Sequence, residues 1–326
     1  MTKLTLKLLA AVFGMVVALL GIGILLSWAP DRTVDSLKAR WAPPPSRFIE
    51  LAGQSVHYRD EGPRDDSLPI VLVHGTLSSL HTWDGWVDSL KGAHRVIRMD
   101  LPGFGLTGPA VDADYSMPAY DRFVLRLLDS LGVRRFTIAG NSLGGEIAWH
   151  VAAAVPERVV KLILVDAAGY PLVSQSIPIG FRLARIPSLS WLLERSLPRA
   201  LVESSVRNVY GDPKRVTPAL VDRYFELTLR AGNRASLGQR FAQSRPGDEI
   251  DRIPKLKLPA LILWGGKDRL IPPDHAKLFQ RDIAASQLVM YPELGHVPHE
   301  EDAARTVADV LRFIAPVSAP TARSSP

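Results

Sequence analysis

The sequence predicts an α/β fold: a mostly parallel, eight-stranded sheet with helices on both faces, a helical cap inserted after the sixth strand, and an N-terminal transmembrane helix. Three observations carry that prediction. From about residue 47, short apolar runs alternate with helix-length segments. Most of these runs are apolar throughout, as in strands buried on both faces. The rhythm then breaks for about ninety residues between Asp166 and Leu258, where an ordinary crossover needs only about a dozen.

Taken in order, residues 1–7 form a short stub and residues 8–28 hold no charged side chain. A helix of that length, rising ~1.5 Å per residue, spans a hydrocarbon core of ~30 Å. Lys3 and Lys7 precede it, so the positive-inside rule leaves the stub in the cytoplasm and the rest of the chain outside, periplasmic or otherwise extracytoplasmic. A cleaved signal peptide, which would release a secreted protein, is the competing reading. The apolar run is longer than a signal core, and Pro30 would follow the cut. Residues 29–46, with Pro43, Pro44 and Pro45, read as an extended linker.

The first core segment is 47–168. RFIEL and SVHYRDEG read as two strands about a turn at Gly53, followed by strands PIVLVHG and HRVIRMD. A helix capped by Ser116 runs to about Leu131. RFTIAG is a strand, GGEIAWHVAAAVP a helix closed by Pro156, and VVKLILVD a strand. Residues 169–246 hold helical patches (GFRLARI, SWLLERSL and ALVDRYFELTLRAG) and are expected to cover the sheet edge where ligands bind in open α/β folds. The second core segment, 247–315, supplies strand LPALILWG, helix HAKLFQRDI, strand SQLVMYP and the closing helix AARTVADVLRFI. The Pro/Ser-rich tail, 316–326, is expected to be disordered.

Gly140-Asn141-Ser142-Leu143-Gly144 lies between a strand and a helix. A turn that sharp needs flanking glycines, and it would project Ser142 at a helix N-terminus, where free N–H groups favour negative charge. A serine hydroxyl needs a base, and the base needs an acid to orient it. His296 follows the last strand and Asp268 the strand before it, so both open toward the edge that carries Ser142. Asp166, at the end of VVKLILVD, is the rival acid. The N–H groups of Thr76 and Leu143 are the expected oxyanion donors. His74 reads as structural, His299 as a surface residue, and His81 as a residue that could rim the pocket.

VLVHG, DLPGFG, GNSLGG, GGKD and the late GH occur in this order and resemble the α/β-hydrolase superfamily over about residues 48–315. The resemblance implies an eight-stranded sheet, a variable cap after the sixth strand, and a triad in the chain order Ser142, Asp268, His296. Serine at the elbow, in place of aspartate, implies a carbonyl substrate attacked to give an acyl-enzyme, foremost a carboxylic ester. GNSLGG also resembles the elbow of meta-cleavage product hydrolases, which break carbon–carbon bonds. Those enzymes commonly carry Trp after the His, where Val297 stands. A non-catalytic binding protein of the same fold is the third reading.

The sequence suggests no cofactor and no metal. The chain has no cysteine, which excludes a thiolate nucleophile and zinc–cysteine sites. Its net charge of +6 resides in the cap, where residues 170–246 hold twelve basic and five acidic side chains. That placement fits solvated helices, anionic lipid headgroups or an anionic substrate better than nucleic acid. Phe181, Trp191, Leu192, Tyr210, Tyr224 and Phe225 are the cap residues expected to line an acyl pocket or to pack the cap on itself.

Overall fold

The computed structural model describes residues 3–171, 174–186, 188 and 190–315. The 316–326 tail lies outside them. Helix α1 (Lys3–Leu26) contains one span, Thr5–Leu26, long and apolar enough to cross a membrane, and none of it is buried against the rest of the chain. The helix stops two residues short of the expected Trp28, which instead forms a β-bridge with Ser196.

Eight strands build one sheet: β1 (Arg47–Leu51), β2 (Gln54–Glu61), β3 (Ile70–Val73), β4 (Val96–Met99), β5 (Phe136–Asn141), β6 (Val159–Val165), β7 (Ala260–Gly265) and β8 (Ser286–Tyr291). Their order is β1-β2-β4-β3-β5-β6-β7-β8. Only the β1–β2 and β2–β4 pairings are antiparallel.

The continuous apolar runs have a simple cause. Ile70 and Leu72 of β3 join one hydrophobic cluster, and Val71 and Val73 join another on the opposite face. Successive side chains point to opposite faces, so a strand covered on both sides must be apolar at every position. One cover is α3 (Asp84–Leu90) with α13 (Ala303–Ile314), contributing Trp86, Val87, Val307 and Val310. The other is α4 (Met117–Ser130), α5 (Leu143–Ala154) and α11 (Asp274–Asp282), contributing Val124, Leu128, Ile147, Val151 and Phe279.

Between β6 and β7 the chain forms α6 (Ile179–Ala184), α7 (Ser190–Leu193), α8 (Arg199–Val209), α9 (Pro218–Thr228) and α10 (Asn233–Gln243). A short helix, α12 (Pro298–Glu301), follows β8.

Residues 29–46 do not form the extended spacer expected of them. They carry α2 (Val34–Trp41), whose N-cap Thr33 accepts from Ser36 N. Leu37 is fully buried in a cluster with Leu106 and Leu227. Trp41 Nε1 donates to Glu226 at 2.7 Å, and Arg40 pairs with the same carboxylate. The stem between the membrane-length helix and the sheet is therefore packed against the β6–β7 insertion.

Candidate active site

Ser142 joins β5 to α5 with φ 55° and ψ −118°. Positive φ in a non-glycine residue is strained by about 1–3 kcal/mol and persists only where the surroundings enforce it. Here Ser142 N donates to Val165 O at 3.1 Å, and its own carbonyl accepts from Ala168 N at 3.0 Å. The flanking glycines let backbone meet backbone. A Cβ on Gly140 would lie 1.9 Å from Gly144 O, and one on Gly144 would lie 2.1 Å from Val73 O. Asn141 ties the turn to the histidine loop, its Nδ2 donating to Val165 O (3.1 Å) and His296 O (3.0 Å).

His296 is buried after β8, and its Nδ1–H donates to Asp268 Oδ2 at 2.7 Å. The other carboxylate oxygen of Asp268 accepts from Leu270 N (2.8 Å) and Ile271 N (3.0 Å). These bonds fix the carboxylate plane and leave His296 Nε2 as the ring nitrogen free to act as a base. Ser142, His296 and Thr76 line one cavity. Ser142 Oγ and His296 Nε2 carry no hydrogen bond among the described residues. The N–H groups of Thr76 and Leu143 likewise donate to no acceptor among the described residues.

The sequence model of the α/β hydrolase fold family matches residues 69–303. The chain belongs to the α/β-hydrolase family. Among relatives of this hydrolase, Lipase 3 of Moraxella sp. (strain TA144) is 29% identical over 250 residues, 75% of this chain and 76% of that protein. A 2-hydroxy-6-oxononadienedioate/2-hydroxy-6-oxononatrienedioate hydrolase of Burkholderia vietnamiensis is 30% identical over 276 residues, 79% of this chain and 90% of that one. A solved structure of a bacterial membrane phospholipase A superposes with a TM-score of 0.72 at 26% identity, covering 95% of this chain and 96% of that one.

The hydrolase cavity has a volume of about 730 Å³. The sheet edge supplies one wall, and aliphatic side chains of α8 such as Leu201, Val202 and Val206 supply another. Of the six residues expected either to line a pocket or to pack among themselves, Phe181 and Tyr224 line it. Tyr210 is buried elsewhere, donating to Glu300 at 2.7 Å, and Trp191 is exposed.

His299 is no surface residue. It is fully buried against Trp83, with ring centroids 4.1 Å apart, and its Nε2 pairs with Thr82 Oγ1 at 3.0 Å. Burial, with a smaller contribution from neighbouring His296, pushes its pKa well below the usual imidazole range. His81 is buried, pairing with Trp41 O and Ser79, and is not among the lining residues. His74 accepts from Leu101 N at 2.9 Å and donates to Gly75 O at 2.7 Å, a structural arrangement.

Sequence reasoning missed Glu300 and Glu301. Glu301 accepts from Gly211 N, Asp212 N and Gly295 N at 2.8–2.9 Å, bridging the end of α8 to the residue before His296. Glu300 takes Thr82 and Tyr210 and pairs with Arg223. His296 N also donates to Val209 O at 2.7 Å. The loop bearing the imidazole is thus held by the insertion as well as by the sheet. The only advance sign was a run of three acids, Glu300-Glu301-Asp302, starting four residues beyond His296.

Asp166, the rival acid, shares a buried cluster with Asp268 and His296, one oxygen or ring nitrogen of each lying within 4.8 Å of the others, but it makes no hydrogen bond to the imidazole among the described residues. Its Oδ1 accepts from Gly265 N at 3.0 Å, and its Oδ2 has no partner among the described residues. Burial and the adjacent Asp268 push its carboxyl well above the usual carboxylate range. The folded protein therefore retains a proton that the unfolded chain releases as pH rises, and Asp166 costs stability above the ordinary carboxylate pKa. Asp166→Asn should raise the melting temperature relative to wild type at pH 8, with little difference at pH 4. Ester turnover should stay within a few-fold. A loss as deep as that of Asp268→Asn would make Asp166 the acid.

Proposed function

We propose that this hydrolase is a membrane-anchored serine esterase acting on lipophilic acyl substrates, with Ser142 as nucleophile, His296 as base and Asp268 as orienting acid. The observation that carries the reading is a largely aliphatic cavity with Ser142 and an Asp268-bound His296 on the same wall. Ser142 Oγ attacks the ester carbonyl as its proton passes to His296 Nε2. The carbonyl oxygen becomes an oxyanion held by the N–H groups of Thr76 and Leu143. His296 then gives its proton to the departing alcohol. Water, deprotonated by the same nitrogen, releases the acid and restores the serine.

The likeness to a membrane phospholipase A and to Lipase 3 supports lipid esters as the substrate class. On this reading helix α1 is the anchor, and Lys3 and Lys7 at its start support a cytoplasmic N-terminus with the catalytic domain on the extracytoplasmic side. Carbon–carbon bond hydrolysis is the second reading, supported by the Burkholderia relative. Val297 weighs against it, because this cavity-lining position holds no Trp.

A fluorophosphonate probe should label the full-length protein, and Ser142→Ala should abolish both labelling and p-nitrophenyl ester turnover. Labelling that persists in Ser142→Ala would remove Ser142 from the chemistry. Turnover of a ring-cleavage dienoate exceeding that of every ester from C4 to C16 would favour the second reading.

A further inference from the structure

The cavity has a second polar end. Arg234, in the first turn of α10, lines the cavity with its side chain only 5% exposed. Its Nη2 donates to Asp31 Oδ1 at 2.6 Å, while Nε and Nη1 have no acceptor among the described residues. A guanidinium stays charged at any physiological pH, and enclosing its donors without acceptors is unfavourable unless a ligand supplies one. Arg185, exposed and stacked over Phe241, lines the same cavity; Glu194 is the one carboxylate among the lining residues.

Location narrows the ligand. Directly after α1, Ala29 N donates to Arg195 O (2.9 Å) and Leu197 N to Ser27 O (2.9 Å). Arg32 N donates to Leu229 O (2.7 Å) and Ala231 N to Arg32 O (2.9 Å). The cavity residues Glu194, Leu197 and Arg234 therefore adjoin the foot of the membrane-length helix. An apolar chamber, an acceptor-poor cation and a position at the foot of the membrane-length helix occur together.

The geometry points to Arg234 as the phosphate-binding residue of the cavity: it takes the phosphodiester of a glycerophospholipid whose acyl ester is presented to Ser142. A phosphate oxygen accepts from Nη1, and Asp31, 43% exposed, is the group that yields room. This assignment rests on Ser142 as the nucleophile of the same cavity.

The test compares a diacyl phosphatidylglycerol with a diacylglycerol of the same chains, using full-length protein in mixed micelles. Arg234→Gln should lower the phospholipid-to-diacylglycerol ratio of kcat/KM at least fivefold, and a smaller change overturns the assignment. Asp31→Asn, which retains the cation and removes its competing carboxylate, should raise the ratio. If Arg234→Gln does not fold, an unchanged or lowered ratio in Asp31→Asn overturns it instead. Inhibition of wild type but not Arg234→Gln by millimolar sn-glycerol 3-phosphate, with an unmoved lipid ratio, would assign the site to soluble phosphates and defeat the lipid reading. Ser142→Ala separates the two levels: lipid hydrolysis surviving it defeats the nucleophile, whereas an unmoved ratio with hydrolysis lost in Ser142→Ala defeats Arg234 alone.

Discussion

Asp268→Asn is expected to lower kcat for a p-nitrophenyl ester by about 10³–10⁴-fold, with little change in KM, as an amide does in comparable triads. The direction follows from the bonding of this carboxylate. Leu270 N and Ile271 N both donate to Oδ1, so an amide oxygen would keep that position and its NH₂ would face His296. Nδ1, which now donates to Asp268 at 2.7 Å, would have to accept instead. The ring proton would then sit on Nε2, the nitrogen that receives the serine proton in the proposed mechanism. Circular dichroism and melting should change little, because size and backbone contacts are retained. A loss below tenfold would mean that another group orients the imidazole, with Asp166 the first candidate.

The second large effect concerns the backbone rather than the chemistry. Gly144→Ala should destabilise the protein by about 3 kcal/mol or more, since overpacking rigid backbone cannot be relieved by a rotamer change. For a chain of this size that is a fall in melting temperature of roughly 4–5 °C. The added Cβ would stand 2.1 Å from Val73 O and 2.6 Å from His74 O. It would push α5 away from β3 and loosen the turn that holds Ser142 at φ 55°. Gly92→Ala is the control, because nothing lies within 4 Å of its added methyl. That change should stay within about 0.5 kcal/mol. Equal melting of the two variants would contradict the close approach at the elbow.

The sheet was legible because its strands are covered on both faces, so burial wrote itself into every position of runs such as IVLV and ALILWG. The expected strands differ from the observed ones by a residue or two at their ends, where pairing and not hydropathy sets the limit. That Ser142, His296 and Asp268 would meet was legible because each follows a strand at the same sheet edge, and topology brings such residues together.

Features decided by tertiary contact were not legible in this way. Helix α2 has eight residues and is stabilised by Leu37 entering a cluster with Leu227, some 190 residues away in sequence. The three prolines after it suggested an extended linker, although Thr33 was an available cap. Helices α8 and α10 were missed because their buried faces carry little apolar signal: Val206 is the buried residue of α8, and on α10 Leu237 stands among buried Asn233, Arg234, Ser236 and Arg240. His299, three residues beyond His296, looked like the next position on an exposed face; α12 is too short to present one, and Trp83 covers the ring.

The double bridge from the stem, through Trp28 to Ser196 and through Arg32 to Arg230, has a kinetic consequence. A catalytic domain on a slack tether samples a volume. One clamped at the foot of its anchor, on the anchored reading of α1, meets substrate by lateral diffusion within a sheet of lipid. Its effective substrate concentration is then a mole fraction in the leaflet, so diluting the lipid surface with inert detergent at constant bulk concentration should slow such an enzyme, while diluting the whole suspension should not.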